Sequence, residues 1–402
     1  MPAPMTPLAI SAYTVTSALG RGKAAQLAAL AAERSGLRPN DFSSAPLDCW
    51  IGRVDGVEDS PLPGHLAVWE CRNNRLAWLG LNQDDFLGRV LAARARYGAS
   101  RIALMLGTST ASIGATEEAY RRLDADGGFP DDMLRPPLHT PHSLAGFVAQ
   151  ALALEGPCLT VSTACSSSAK VFANAERLIR LGLVDAAVVG GVDTLCDSVL
   201  FGFNALQLVS PEPCRPFDAA RNGISIGEAA GFALLERIEA APAESPRLLG
   251  YGEASDAHHM STPHPEGLGA ELALRDALAR ASLDPFEVDY INLHGTASLK
   301  NDEVEAALIS RLLPASTRAS STKGYTGHTL GAAGILEAAV ALQAIEHDLV
   351  PGNLGAQTPD PDCGVQFAWH NERQRINVAL SNSFGFGGNN ACLAFARAGH
   401  TA

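Results

Sequence analysis

The chain has 402 residues, of which 47% are hydrophobic and 18% charged, a balance that supports a large buried core and excludes extensive disorder. Its formal net charge of −13 argues against non-specific binding to nucleic acid and against docking on an anionic membrane. No signal-peptide pattern is visible in residues 1–18, and no apolar run approaches the roughly 20 residues of a transmembrane helix. The eight cysteines form no C-x-x-C pair, which is typical of a reducing compartment. A cytoplasmic protein is predicted.

Short apolar runs typical of buried strands alternate with helical stretches along the chain. The runs predicted as strands are residues 101–107, 185–191, 288–294 and 375–381. The stretches predicted as helices are residues 66–81, 169–181, 271–281, 302–313 and 334–345. Several of the runs are apolar on both faces, as strands covered by helices on both sides should be. The pattern predicts an α/β protein.

The segment IEAAPAESPR, residues 238–247, is the nearest thing to a linker in the sequence. It divides the chain into a longer part, residues 1–240, and a shorter part, residues 247–402. Each part supplies a strand that ends in a candidate catalytic residue. Two similar lobes that share one site are therefore predicted, although no repeat is visible in the residues themselves.

Cys165 lies between a predicted strand and a predicted helix, in the segment TVSTACSSSAK, residues 160–170. The first half of that helix carries little charge, which indicates that the helix begins inside the protein. Its dipole and free N–H groups would favour the thiolate of Cys165 and could hold an oxyanion. A buried, unreactive cysteine is the alternative, and this segment alone does not decide between the two.

Two histidines lie in Gly/Thr-rich loops of the second part, His294 in NLHGTAS (residues 292–298) and His328 in STKGYTGHTLGAAG (residues 321–334). One such histidine is more often a hydrogen-bonded structural residue. Two neutral imidazoles, however, could donate to the enolate that forms when a malonyl thioester loses CO₂. A single Cys-His pair would suffice for hydrolysis but would not obviously suffice for decarboxylation.

Two further segments have the character of site loops. Lys323 lies in a tight loop and is predicted to pair with a buried carboxylate, for which Glu305 is the candidate. The loop SNSFGFGGNN, residues 381–390, alternates Phe with Gly and is predicted to form a flexible gate over a pocket. The backbone N–H of Phe386 would then complete an oxyanion hole. The alternative is a turn with two core phenylalanines.

Four segments occur in a fixed order: TACSSS, HGTAS followed by KNDEVE, KGYTGHTLGAAG, and NSFGFGGNN, with RPFDAARNGISIGEAAG (residues 215–231) after the first. Through them, nearly the whole chain resembles the β-ketoacyl-acyl carrier protein synthases of the thiolase superfamily. The resemblance implies a five-layered αβαβα fold of two related halves, a homodimer, no cofactor and no metal. It implies a triad of Cys165, His294 and His328 that takes an acyl chain from carrier protein or coenzyme A and condenses it with malonyl-carrier protein.

The same resemblance implies supporting roles for Lys323 and Glu305 and a gating role for Phe386. Substrate-binding positions are expected at four residues: Thr110, Thr296, Ser298 and Phe384. Thr110 follows a predicted strand where the family places its acyl pocket, and a helix cap is the alternative there. Ser298 in place of the usual Thr, and Gly-Glu-Ala in place of Gly-Glu-Gly, leave the subfamily open. The segments around Cys165 and residues 210–231 look most like synthases of specialised pathways such as aryl-polyene biosynthesis.

Arg72 and Arg75 share one helical face, which is either a solvated face or a docking patch for an acidic carrier protein. The segment DAHHMSTPHPEG, residues 256–267, contains three histidines and is predicted to be an entrance loop. Its two adjacent histidines cannot share one helical face, and no carboxylate cluster accompanies them, so a metal site is not expected.

Three rival functions stay open. A thiolase would need a second cysteine as base, and Cys392 lies in ACLAF, which is typical of a buried strand. A Cys-His hydrolase would leave the second histidine unexplained. A chain-length-factor-like partner subunit would lack the nucleophile, so this chain would be the active member of any heterodimer with a Cys-less partner.

Overall fold

The computed structural model describes residues 2–400 of the chain. Its strands are β1 Leu8–Ser17, β2 Gly20–Arg21, β3 Arg38–Pro39, β4 Trp50–Gly52, β5 Ile102–Gly107, β6 Cys158–Val161, β7 Ala186–Asp193, β8 Ile226–Gly227, β9 Ala229–Arg237, β10 Arg247–Ser255, β11 Tyr290–Asn292, β12 Arg318–Ser320, β13 Leu349–Val350, β14 Glu372–Arg373, β15 Val378–Gly385 and β16 Asn389–Ala396. Its α-helices are α1 Gly22–Ala31, α2 Arg72–Leu81, α3 Phe86–Tyr97, α4 Ile113–Arg121, α5 Ser143–Leu152, α6 Ser167–Arg180, α7 Asp197–Ala205, α8 Leu268–Ala281, α9 Leu299–Leu312, α10 Lys323–Thr326 and α11 Ala333–His347. Across these residues, no helix combines the length and apolarity that a membrane crossing requires.

Every predicted strand and helix is present, with ends that differ by a few residues. The exception is the predicted helix 66–81, which is divided into a 3₁₀ helix, Gly64–Trp69, and α2. Cys71 lies between them in an extended conformation, so the helical pattern of residues 66–81 belongs to two separate elements.

Ten strands lie in the order β12-β11-β15-β16-β10-β1-β9-β7-β5-β6 along one mixed sheet, and β2 pairs with β1 at its centre. The main strands of the first half, in chain order β1, β5, β6, β7 and β9, lie in the order β1, β9, β7, β5, β6 from the centre of the sheet outwards. Those of the second half, in chain order β10, β11, β12, β15 and β16, lie in the corresponding order β10, β16, β15, β11, β12. In each half the two inner strand pairs are antiparallel and the two outer pairs are parallel. The prediction of two related halves is confirmed.

Helices cover the sheet in three layers. α6 and α11 pack between the two halves, α2, α3 and α5 cover the outer face of the first half, and α8 and α9 cover the outer face of the second. The three largest apolar clusters correspond to these three layers, because each sheet face must bury its side chains against helices. The five-layered αβαβα arrangement predicted above is therefore observed.

The repeated topology brings the candidate catalytic residues together. Cys165 follows β6, the third main strand of the first half, and His328 follows β12, the third main strand of the second half. His294 follows β11, and Phe386 lies in the turn between β15 and β16. The equivalent connections after β6 and β12 thus bring Cys165 and His328 into contact.

Candidate active site

The turn that carries Cys165 is strained and compact. Ala164 has a φ of +52°, in the left-handed region that only small side chains enter at modest cost. The backbone N–H of Ser167 donates to the Ala164 carbonyl at 3.1 Å, which closes the turn as α6 begins. Cys165 is consequently held, buried, between the end of β6 and the start of α6.

The first turn of α6 packs closely against β5, β7 and α11. A Cβ added to Gly107 at the end of β5 would lie 2.3 Å from the Ser168 backbone nitrogen. One added to Gly191 in β7 would lie 2.6 Å from the Ser168 Cβ, and one added to Gly334 in α11 would lie 2.5 Å from the Ala169 nitrogen. The helix therefore begins inside the protein, as its lack of charge predicted.

Cys165 and His328 form a hydrogen-bonded pair, with Sγ 3.0 Å from Nε2. Burial raises the pKa of the Cys165 thiol to about 12, although Lys323 and the backbone N–H of Phe386 favour the thiolate. Burial therefore opposes the thiolate that the helix start was predicted to favour. Burial and the Lys323 charge hold the pKa of His328 well below its usual range. His328 is thus neutral and can accept the thiol proton.

Lys323 sets the tautomer of His294. Its ammonium lies 3.4 Å from His294 Nδ1 and also donates to the His294 carbonyl oxygen. Because an ammonium can only donate, Nδ1 must accept and the ring proton must lie on Nε2. Burial, with Lys323 and His328 beside it, holds the pKa of His294 well below its usual range, so the ring stays neutral. Its centroid lies 5.3 Å from that of His328.

The partner of Lys323 is Glu337 on α11, and the predicted pairing with Glu305 is wrong. Lys323 and Glu337 are both buried and form a direct ion pair. α11 lies between the two halves of the sheet and so presents its carboxylate to the Lys323 loop, a placement that sequence spacing does not show. A sequence signal did exist, because Glu337 is the only charged residue between positions 333 and 345. A lone carboxylate in an apolar helix needs a buried partner.

Glu305 instead holds the backbone of the His294 loop. Its carboxylate accepts the N–H of His294 at 2.9 Å and that of Gly295 at 2.7 Å, and a third bond from Asn382 at 3.2 Å. Burial raises the pKa of Glu305 to about 7, against the effect of these amides. The role that the structure gives Glu305 is the orientation of the loop rather than the neutralisation of Lys323.

A cavity of about 560 Å³ opens from this site to the surface. The hydroxyls of Thr296 and Ser298 lie 2.8 Å apart on its wall. The Phe384 ring centroid lies 5.5 Å from that of His294, and the Phe386 ring packs on Phe203 at 5.7 Å. The predicted entrance loop, residues 256–267, borders the opening. The sequence-predicted residues that line the cavity are Cys165, His294, His328, Thr296, Ser298, Phe384 and Phe386.

Comparisons with known proteins agree with this geometry. Residues 89–241 match the family model described as "Beta-ketoacyl synthase, N-terminal domain", and residues 247–357 match the one described as "Beta-ketoacyl synthase, C-terminal domain". Nodulation protein E of Rhizobium meliloti (strain 1021) is 38% identical over 330 residues, which span 80% of this chain and 78% of that protein. The chain belongs to the β-ketoacyl synthase family. It is an acyltransferase-type condensing enzyme.

Other relatives of the synthase are named as condensing enzymes. The 3-oxoacyl-[acyl-carrier-protein] synthase 2 of Rhizobium meliloti is 41% identical over 269 residues, 63% of this chain and 64% of that enzyme. A solved ketosynthase in complex with its chain length factor, from Xenorhabdus doucetiae, is 37% identical with a TM-score of 0.89, over 98% of both chains. A β-ketoacyl synthase from Burkholderia phymatum is 26% identical with a TM-score of 0.87, over 98% of this chain and 100% of that one.

Arg72 and Arg75, predicted as a docking patch, have guanidinium groups that contact carboxylates of the same chain. Arg72 forms a bidentate bond to the fully buried Glu228, at 2.6 and 3.1 Å, and an ion pair with Glu58. Arg75 pairs with Glu70. Their guanidinium groups already meet carboxylates, and a docking role for the two arginines stays a prediction. Arg72 and Arg75 do share one face of α2, as predicted, but the helical spacing of the two residues does not show that this face contacts carboxylates.

Thr110 does not line the cavity of the single chain. Its hydroxyl donates to Asp193 at 2.7 Å, and its backbone N–H donates to the same carboxylate at 2.8 Å. An acyl-pocket role for Thr110 therefore stays a prediction. Sequence reasoning missed Asp193, whose only signal was an acidic residue at the end of an apolar strand.

The lowered pKa values of His294 and His328 predict how the stability of the synthase depends on pH. Both rings stay neutral in the folded protein at a pH where the unfolded chain, with a histidine pKa of about 6.5, takes up protons. The unfolded state then binds more protons, so stability falls as the pH falls below about 6.5. We expect the Tm of the wild type to fall more between about pH 7.5 and pH 5.5 than that of a His294→Asn/His328→Asn variant. An equal fall would contradict the neutral assignment, and the exposed His258→Asn serves as control.

Proposed function

We propose that the synthase is an elongating β-ketoacyl-acyl carrier protein synthase that carries its acyl chain on Cys165. The observation that supports this most is the meeting of three groups in one cavity. The Cys165 sulfur lies 3.0 Å from a neutral His328, and a second neutral histidine, His294, is oriented by the buried Lys323. A nucleophile with one base would transfer an acyl group, and the second histidine supplies what carbon–carbon bond formation adds.

In the first half-reaction, His328 Nε2 takes the thiol proton as the Cys165 sulfur attacks the carbonyl of an acyl thioester. The oxyanion that forms is met by the backbone N–H of Phe386, which already points at the sulfur. The bond between the acyl carbon and the sulfur of the carrier then breaks. The departing thiolate takes the proton from His328, so the histidine is neutral again.

In the second half-reaction, the carboxylate of a malonyl thioester leaves as CO₂ and its bonding electrons pass into an enolate. The Nε2–H of His294 donates to the enolate oxygen. The enolate carbon attacks the acyl carbonyl on Cys165, the bond between the acyl carbon and the sulfur breaks, and the Cys165 thiolate takes up one proton from solvent. The low pKa of both rings favours this step because a neutral imidazole keeps its N–H and carries no charge that would hold the carboxylate.

The rival functions fit the geometry less well. Cys392 is fully buried in β16 and does not line the cavity, so it is badly placed to act as the base of a thiolase. In a hydrolase, His294 and its orientation by Lys323 would have no role. A partner subunit without activity would not need the Cys165–His328 pair.

We propose that acyl carrier protein, in acyl and malonyl forms, docks on an apolar collar around the cavity mouth formed by Leu206, Met260 and Leu299. These side chains are 56%, 76% and 59% exposed, and each lies among or next to lining residues. Lys300 is beside them. An acidic carrier with apolar side chains around its arm would fit such a mouth. The collar is a docking candidate in addition to Arg72 and Arg75.

A second subunit is part of the proposal. β6 is the last strand of the sheet in the first half, and its Leu159 is 52% exposed. The apolar side chains of Tyr120, Phe129 and Leu134 are also exposed in that half. A homodimer would cover these groups. A heterodimer with a Cys-less partner is the second candidate, favoured by the likeness to a ketosynthase solved with its chain length factor. Light scattering of the protein alone distinguishes a self-associated dimer from a monomer that awaits a partner.

The proposal extends to the setting of the reaction. A cytoplasmic location fits enzymes that act on carrier-protein thioesters. A specialised pathway of the aryl-polyene kind is proposed from the segments around Cys165 and residues 210–231. The division at residues 1–240 and 247–402 stays our proposal for the two halves of the chain.

The test is reconstitution with acyl-carrier and malonyl-carrier protein, read by mass spectrometry of the β-ketoacyl product. Leu206→Asp is expected to raise the KM for malonyl-carrier about tenfold, with kcat little changed, because a charge replaces an apolar contact. Leu181→Asp is the matched control, since Leu181 is equally exposed and lies at the far end of α6, about 20 Å from Cys165. Absence of a condensed product with every combination of substrates and subunits would refute the proposed function.

A further inference from the structure

Asp193, the last residue of β7, holds the turn that follows β5. Its fully buried carboxylate accepts the hydroxyls of Thr108 at 2.6 Å and Thr110 at 2.7 Å. It also accepts the backbone N–H of Ser109 at 2.9 Å and that of Thr110 at 2.8 Å. All three residues of the turn therefore depend on one side chain for buried hydrogen bonds.

This turn, residues 108–110, is linked to the nucleophile through the end of β5. It continues from Gly107, which packs so closely on the first turn of α6 that an added Cβ would lie 2.3 Å from the Ser168 nitrogen. Cys165 is three residues before Ser168. A displacement of the turn would therefore be passed to the start of the helix that carries Cys165.

The same turn also supports the loop of the base. Gly331 lies three residues after His328, and an added Cβ there would be 2.6 Å from the Ser109 nitrogen and 2.7 Å from Asp193 Oδ2. The neighbouring Leu330 has a φ of +56°, so this loop is held in a strained conformation by what packs on it. The loop of His328 thus rests directly on the carboxylate and the turn that it holds.

The second half of the fold contains the corresponding device. Its loop after β11, the counterpart of the turn after β5, carries His294 and is held by the buried carboxylate of Glu305 through two backbone N–H groups. In both halves a buried carboxylate holds the loop that follows the second main strand. In the second half that loop carries a catalytic candidate, which indicates that such anchoring serves the site.

We propose that Asp193 is a positioning residue of the condensing site, which holds residues 108–110 under the His328 loop and so keeps His328 within reach of Cys165. The inference rests on the proposed function. Without the carboxylate, two buried hydroxyls and two buried N–H groups would lack their acceptor. Residues 108–110 would then move, and Gly331, which packs on Ser109 and Asp193, would no longer be held in place. Asp193 also places a negative charge near the sulfur, which raises the pKa of the Cys165 thiol.

Asp193→Asn keeps the shape and removes the charge and one acceptor oxygen. We expect kcat for condensation to fall about 10- to 100-fold, with the KM for malonyl-carrier little changed. The reason is that His328 would move relative to the Cys165 sulfur by up to about 1 Å. We also expect iodoacetamide to alkylate Cys165 about three- to tenfold faster at mildly alkaline pH, because the opposing charge is gone. A purely structural residue would change neither quantity in the protein that remains folded.

Two further variants make the test decisive. Asp289→Asn removes a carboxylate that accepts two backbone N–H groups at the opposite end of β15, and we expect a lower Tm with unchanged alkylation. Thr110→Val removes one donor to Asp193 and keeps the charge, so kcat should fall while the alkylation rate stays the same. An unchanged kcat or an unchanged alkylation rate in folded Asp193→Asn protein overturns the proposal. Alkylation needs no carrier substrate, so it tests Asp193 even if the proposed function fails.

Discussion

Cys165→Ala is expected to abolish acyl transfer and to lower the rate of condensation by about 10⁴-fold or more, because no other nucleophile of the site can carry the acyl chain. Cys165 is the only thiol that lines the cavity among residues 2–400. The variant keeps His294, His328 and the Phe386 loop. It should therefore still release CO₂ slowly from malonyl-carrier, measured as free acetyl-carrier, while forming no β-ketoacyl product.

Cys49→Ala is the control for this variant. Cys49 is also buried, and burial raises the pKa of its thiol to about 11, but Cys49 does not line the cavity. We expect a modest loss of stability and a condensation rate close to that of the wild type. Condensation at the wild-type rate by Cys165→Ala would contradict the assignment of the nucleophile.

Lys323→Met is expected to cost about 3–5 kcal/mol of stability and at least about 100-fold in condensation. The stability falls because the carboxylate of Glu337 is left buried without its partner. The activity falls because Lys323 no longer sets the tautomer of His294. Chemical denaturation and the reconstituted condensation assay measure the two effects on the same protein.

A second substitution separates these effects. Lys323→Met/Glu337→Leu leaves no uncompensated charge, so most of the lost stability should return while the activity does not. Lys323→Met/Glu305→Gln should recover nothing, because Glu305 holds the His294 backbone and does not face Lys323. Recovery of stability with the Glu305 variant instead would show that the pairing expected from the sequence was the right one.

The sequence was most informative where a single short segment determines the chemistry. Cys165, His294 and His328 were predicted because each lies in a local strand–turn or turn–helix context, and the structure brings them together. The buried strands were predicted because their residues are apolar on both faces. The repeat of the two halves was not visible in the residues, since it lies in the order of strands, which many different sequences can adopt.

The sequence was least informative where an outcome depends on distant elements. The pairing of Lys323 with Glu337 depends on α11 lying between the halves of the sheet. The inward orientation of Arg72 depends on Glu228, 156 positions away. The raised pKa of the Cys165 thiol reflects how deeply the site is buried, a property of the whole fold that opposes the local helix dipole. Residues near in sequence were assigned correctly more often than partners far apart.

The role of Cys165 is tested most directly by mass spectrometry of the wild-type protein incubated first with acyl-carrier protein and then with malonyl-carrier protein. We expect a thioester on the peptide that contains Cys165. On addition of malonyl-carrier, this acyl group should disappear as β-ketoacyl-carrier forms and one CO₂ is released for each condensation. An acyl group on another residue, or condensation without any acylated Cys165, would contradict this role of Cys165.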